Sequence, residues 1–308
     1  MTKIIRREFS GETDLRAMAA LVHHFPADNL HVPDLPYRLS SWAFDYPDNV
    51  GLWVDGGGQM LAWAVMQTPF WAIDYACHAG AVQDTHQEIL AWADGRAHQI
   101  LGTPSGLPRW FVNVFADQAG RIRDLEQAGF VSQADMGEDS WSKVLMRRPA
   151  EMPSAEYTLP AGITIRPLAG ESEASAYADL QRIVFGSKNM TAGWRSRTLQ
   201  QPQYVPDLDL VAVAPDGSLV AFCICWLDKE TDPVSGQVEP MGVHPDCRKL
   251  GLGRAILSEG LRRLQLHGAS QIFVETDNYR DAARMLYESA GFRVVRDVLV
   301  YGKDYEDT

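Results

Sequence analysis

The sequence predicts a mixed α/β protein, with a mostly antiparallel sheet flanked by helices, and three observations predict it. Apolar runs rich in β-branched and aromatic residues are joined by tight glycine turns, as in Leu208 to Ala214, Pro215-Asp-Gly-Ser218 and Leu219 to Leu227. Amphipathic helical stretches alternate with later strands, as in Leu252, Ile256, Leu257, Leu261 and Leu264 before the run at 271–276. The same order of signals occurs twice, about 160 residues apart.

The repeat is visible at three places. Ile5-Arg6 with Gly11-Glu12 matches Ile165-Arg166 with Gly170-Glu171. Gly51-Leu-Trp-Val, the turn Asp55-Gly-Gly-Gly58 and the run Met60 to Met66 match the second hairpin. Phe111-Val112 and Ala128-Gly129-Phe130 match Phe273-Val274 and Ala290-Gly291-Phe292, both at an offset of 162. A length of 308 residues suits two domains. We expect one domain over 1–148, a linker over 149–161 broken by Pro149, Pro153 and Pro160, and a second domain over 162–308.

Each element of the second half has its own signal. Strands are expected at 163–168, 208–214, 219–227, 236–243, 271–276 and 292–302. Helices are expected at 171–186, 191–199, 252–267 and 280–290. In the first half, Thr85 and Glu88 stand at capping-box spacing and are expected to open a helix.

Composition bounds the function. Hydrophobic residues make up 46% and charged residues 22%, an ordinary globular balance. Leu219 to Leu227, nine residues, is the longest apolar run, too short to span a membrane. The first residues lack an apolar signal region. A net charge of −12 argues against nucleic acid or anionic membrane as partners. It divides evenly, −6 before residue 150 and −6 after it. Four cysteines, Cys77, Cys223, Cys225 and Cys247, are too few for a disulfide framework and lack zinc-site spacing. The expected location is the cytoplasm, and the expected state is a monomer or homodimer.

The segment Gln237 to Leu257 carries the most chemistry. A strand ends at Val243-His244-Pro245, and Arg248-Lys-Leu-Gly251-Leu-Gly253 opens a helix. Glycines there let backbone amides approach a phosphate at the positive end of the helix dipole. A P-loop needs Gly-Lys-Ser/Thr, which is absent, and a dinucleotide fingerprint needs glycine where Ile256 stands. An Arg-x-x-Gly-x-Gly pyrophosphate loop fits, as does an ordinary glycine-containing helix entry.

Downstream comes Asn278-Tyr-Arg-Asp-Ala282, then Leu286-Tyr287 and Gly291-Phe292. With Val243 to Pro245 and Arg248 to Gly253, this resembles the GNAT superfamily of N-acetyltransferases over about residues 160–308. The tandem layout is similar to that of the mycothiol synthases. The resemblance implies a tandem duplicated acyl-CoA N-acyltransferase fold. The activity it implies is acetyl transfer from acetyl-CoA to a small amine by direct attack, with no metal. It implies a coenzyme site at Met241, Gly242, Val243, Arg248, Lys249, Leu250, Gly251, Leu252, Gly253, Arg254, Asn278 and Tyr287. The first half lacks the Arg-x-x-Gly-x-Gly loop and the Leu-Tyr pair, so it is expected to be a degenerate copy that binds no acyl-CoA.

An amine with a pKa of about 10.4 arrives charged and needs a base. Glu239 shares a strand face with Gln237 and is the expected base, with His244 as the alternative. Pro240 marks a bulge or an early strand end. By resemblance, the bulge frees the Met241 amide for the thioester carbonyl, Val243 pairs with pantetheine, and Tyr287 protonates the departing thiolate. Asn278 either caps the helix or contacts pantetheine. Cys223 and Cys225 are expected in the core, while Trp42, Trp71 and Trp194 are candidate acceptor walls. The rival reading is a noncatalytic acyl-CoA-binding or protein-interaction module.

Overall fold

The computed structural model describes residues 4–78, 82–134 and 136–305. In chain order the first elements are β1 (Ile5–Arg7), α1 (Glu12–His24), α2 (Leu35–Leu39), β2 (Val50–Val54), β3 (Met60–Gln67), β4 (Ala72–Cys77) and α3 (Val82–Ile100). Next come β5 (Arg109–Phe115), α4 (Ala119–Gln127), β6 (Val131–Ser132) and β7 (Ser142–Pro149). The later elements are β8 (Thr164–Pro167), α5 (Ala174–Phe185), α6 (Ala192–Leu199), β9 (Asp209–Val213), β10 (Leu219–Asp228) and β11 (Ser235–Val243). The last are α7 (Leu252–Leu266), β12 (Gln271–Asp277), α8 (Asp281–Ser289) and β13 (Arg293–Asp304). The mixed, mostly antiparallel α/β architecture is the one the sequence predicts.

The chain forms two compact units. The first holds residues 1–32, 41–143 and 296–308; the second holds 33–40 and 144–295. Each therefore takes one short piece from the far end of the chain. In the first unit the strand order is β1-β2-β3-β4-β5-β13, with Val298 to Asp304 antiparallel to Phe115 to Arg109. Its core is built from Trp110, Val112, Leu125, Phe130 and the α3 residues Leu90, Ala93 and Ala97.

In the second unit the order is β7-β12-β11-β10-β9-β8. The α7 residues Leu252, Ile256, Leu257, Leu261 and Leu264 bury the helical stripe read from the sequence. They meet Cys223, Cys225, Val238, Ile272 and Val274 of the sheet. Gly260 is required by this packing, because a β-carbon there would lie 2.8 Å from the Cys225 sulfur. Both cysteines are core residues, as expected. The buried Arg148 holds the start of the proline-rich segment, donating from Nη2 to the carbonyls of Met152 at 2.6 Å and Pro153 at 3.0 Å.

The segment 33–40 is bound into the second unit by specific contacts. The Tyr37 ring stacks on Trp194 with centroids 5.0 Å apart. The Trp194 indole donates to the Tyr37 carbonyl at 3.2 Å, and Gln181 Nε2 donates to the Tyr37 hydroxyl at 2.8 Å. Arg197 Nε donates to the Ser40 carbonyl at 2.9 Å.

Candidate functional site

The site begins where two parallel strands part. β11 and β12 pair only from Ser235–Gln271 to Gln237–Phe273, although β11 continues to Val243 and β12 to Asp277. On its other edge β11 stays paired with β10. There the register slips: Cys223 opposes Met241 but Cys225 opposes Val238, so β11 holds one extra residue at Glu239–Pro240. This is the bulge that Pro240 announces in the sequence. The Trp226 indole donates to the Glu239 carbonyl at 2.7 Å.

The bulge decides which way side chains point. Met241 and Val243 lie against Gly253 at the start of α7, while Gly242 lies against Val184 of α5. Val238 belongs to the core under α7. Alternation therefore places both Glu239 and Pro240 on the face covered by α5. Glu239 is half-buried there.

The glycine loop follows at once. Lys249 and Gly251 both take the left-handed backbone, with φ of 63° and 82°. Left-handed residues within a turn let successive amides converge, and such a concavity suits an anion. Gly251 is the N-cap of α7, a helix of 15 residues, and no side chain caps it. A β-carbon at Gly251 would meet nothing within 4 Å. Arg248, Lys249, Leu250 and Arg254 are exposed. Leu252 has its side chain in the core, so its amide is what it can offer a ligand. The Arg248 guanidinium lies 3.4 Å from the Val243 carbonyl.

From the other side comes α8. Tyr287 is buried, its ring edge-on to Phe292 at 5.9 Å. Burial pushes its phenol well above the ordinary tyrosine range, and the charge of nearby Glu239 adds to the effect. Arg280 pairs with Asp277 at 2.7 Å and feels the same Glu239 charge. Asn278 is half-buried between β12 and α8. The N-cap of α8 is Arg280, whose own side chain makes no capping hydrogen bond.

Sequence reasoning missed several neighbours. Tyr37 and Tyr177 are buried, and burial raises both phenols; the Glu239 charge reaches both as well. The Arg195 guanidinium, fully buried, pairs with Asp209 and stacks 3.8 Å above the Tyr177 ring. Trp194, a candidate acceptor wall on the expected helix over 191–199, is buried and stacked on Tyr37. Trp71 is exposed and left-handed, and Trp42 opens a single helical turn.

The corresponding part of the first unit differs in chemistry. β4 and β5 share a single pairing, Ala72 with Phe111, so these strands part too. The loop expected between them, from Ala76 to Thr85, falls partly outside the described residues, at 79–81. α3 already runs from Val82, so Thr85 is inside the helix and not its cap; its hydroxyl is buried without a partner. The capping box therefore does not form. One turn of chemistry stands there instead: His86 Nδ1 lies 2.9 Å from Asp124, and the Tyr75 ring lies 5.0 Å from the imidazole. Among the described residues, no group of three His, Cys, Asp or Glu could hold a metal ion. Among the described residues, no helix is long and apolar enough to cross a membrane.

Comparison with known proteins places this geometry. Residues 176–292 match the model of the acetyltransferase (GNAT) family. A mycothiol acetyltransferase of Thermomonospora curvata is 33% identical over 159 residues, 50% of this chain and 52% of the relative. The chain thus matches about half the length of that relative. A GCN5-related N-acetyltransferase from Sphaerobacter thermophilus superposes with a TM-score of 0.64 at 21% identity, over 98% of this chain and 95% of the other. A tandem GNAT protein from the clavulanic acid biosynthesis pathway gives a TM-score of 0.66 at 13% identity, covering 99% and 100%. These two likenesses speak for the fold. With the parted strands, the bulge and the glycine loop, they show a tandem GNAT-like fold in which residues 176–292 match the GNAT family model.

Proposed function

We propose that the protein transfers an acetyl group from acetyl-CoA to the amine of a small molecule by direct attack. The observation that carries this reading is the conjunction at one place of an unpaired strand edge, a bulge and an uncapped helix preceded by left-handed residues. An unpaired edge at 238–243 suits the amide groups of pantetheine. The uncapped start of α7, with Arg248, Lys249 and Arg254, suits a pyrophosphate.

In this reading Glu239 takes the proton from the acceptor ammonium, directly or through water. The freed amine attacks the thioester carbonyl, whose developing charge meets the Met241 amide. One such donor contributes about 3 kcal/mol. The C–S bond then breaks, Tyr287 gives its proton to the leaving sulfur, and the new amide nitrogen loses its extra proton, which returns to the tyrosinate through water. The burial that keeps Tyr287 neutral also disfavours a bare thiolate beside it, which raises that sulfur's demand for the proton. Gly242, Val243, Leu250, Leu252, Gly253 and Asn278 complete the coenzyme site. The first unit is read as a copy without acyl-CoA binding, its parted strands filled by Tyr75, His86 and Asp124.

The mycothiol acetyltransferase relatives suggest a small-molecule acceptor. Calorimetry with acetyl-CoA, followed by thiol release over an amine panel, tests the whole reading. Acetyl-CoA binding without turnover on any amine, unaltered by Tyr287→Phe, would instead favour a noncatalytic module.

A further inference from the structure

Two polar atoms on one face of α5 are buried with nothing to bind. The Tyr177 hydroxyl and Gln181 Oε1 stand one helical turn apart, both residues more than nine-tenths buried, and neither atom has a hydrogen-bond partner. Buried polar groups are rarely left so, because each forfeits its hydration without compensation. The Gln181 carboxamide is not loose: its Nε2 is committed to the Tyr37 hydroxyl at 2.8 Å. Tyr37 is in turn fixed by its stack on Trp194. The amide is therefore held in one orientation, with its acceptor oxygen fixed.

This face of α5 is the one that looks onto the bulge. Tyr177 packs edge-on to Phe222 at 5.2 Å, Phe222 pairs with Gly242, and Val184 lies over Gly242. Glu239 belongs to the same side of the sheet. Its charge is felt at the Tyr37 and Tyr177 hydroxyls, which agrees with that placement.

We propose that Gln181, held by Tyr37, and Tyr177 recognise a hydroxyl group carried by the acceptor amine, so that the enzyme selects hydroxylated amines over their hydrocarbon counterparts. The inference deepens the transferase reading and rests on it. A hydroxyl can donate to Gln181 Oε1 and exchange a hydrogen bond with Tyr177, satisfying both orphan atoms at once. A hydrocarbon of the same size leaves them unpaired, and such sites discriminate strongly. Tyr37 is a positioning residue here, acting through the amide it orients.

Matched probes test this: glucosamine against cyclohexylamine, and ethanolamine against propylamine. Two measurements run in parallel on the intact protein. One is kcat/KM for thiol release from acetyl-CoA; the other is calorimetric binding of each amine to the protein saturated with coenzyme A. The expected result is a preference for the hydroxylated member of about tenfold or more. Tyr37→Phe and Gln181→Met should each reduce that preference to near unity, with the KM for acetyl-CoA unchanged. Absence of a preference in the unmodified protein overturns the proposal. So does an equal loss on both members of a pair in folded variants, the outcome expected if a buried water fills the gap. If binding shows the preference and its loss while no amine is acetylated, the hydroxyl site stands and the transferase reading falls.

Discussion

The indole nitrogen of Trp226 donates a 2.7 Å hydrogen bond to the carbonyl oxygen of Glu239. Trp226 is buried on β10, so this bond fixes the bulged backbone from the neighbouring strand. Trp226→Phe keeps an aromatic ring and removes the donor, leaving a carbonyl short of its partner. We expect a stability loss of about 1–2 kcal/mol and a drop in kcat exceeding any change in acetyl-CoA affinity. Urea unfolding and steady-state kinetics check both. Unchanged kcat would show that this bond does not hold the reacting geometry.

The glycine loop makes a separable prediction. Gly251 has φ of 82° and open space around its β-position. Gly251→Ala costs only the left-handed strain, about 1 kcal/mol. Gly251→Glu adds a negative charge beside the proposed pyrophosphate and should weaken acetyl-CoA binding by about a hundredfold, in keeping with ~3 kcal/mol for a repelled charge-assisted contact. Calorimetry on both variants decides, and equal affinity for the two would remove the loop from the coenzyme site.

Gly242 is held to glycine by packing. A β-carbon there would lie 2.4 Å from Val184 Cγ1 and 2.8 Å from Phe222 Cζ. Overpacking of this kind costs about 1–3 kcal/mol, so Gly242→Ala should lower the melting temperature. Val184→Ala removes the nearer obstacle, and the double variant should recover part of the loss. A melting temperature for Gly242→Ala equal to that of the parent would contradict the packing.

Tyr287→Phe removes one oxygen from a buried ring. Loss of a general acid typically costs about 10²–10⁴ in rate. The reduction should fall on kcat with acetyl-CoA binding intact, and a better leaving thiol in the donor should narrow the gap. An undiminished rate would leave Tyr287 a core residue only.

Acid should weaken the first unit in two stages. Burial lowers the His86 pKa against the opposing pull of Asp124. Below the ordinary histidine range of about 6.5 the unfolded chain then binds a proton that the folded one resists, so stability falls as pH drops towards the depressed value. Asp14 is held at about 2 by its hydrogen bond with Arg7, against an ordinary 3.8. Its contribution is present above that ordinary value and is lost as pH falls from there towards 2. Melting temperature against pH should show both stages, and His86→Gln should flatten the upper one.

Much of the second unit was legible because its signals are local. Asp216-Gly217 marks a turn, Leu252 to Leu264 mark a buried helical stripe, and Pro240 marks a bulge, each within a few residues. The Tyr37–Gln181 bond spans 144 positions and follows no periodicity, so nothing near Tyr37 discloses it. The same holds for His86 with Asp124. Thr85 misled because capping-box spacing recurs inside helices, where the residues before it decide the start.

The exchange of chain ends sets an order of events during synthesis. Residues 109–115 leave the ribosome long before their strand partners at 298–304. The unit made first is thus the one finished last, and it must wait with β5 short of a neighbour while the whole of the other is translated. A chain lacking only β13 would already hold most of the second unit, yet its first unit would still expose an open edge to any chaperone or stray strand.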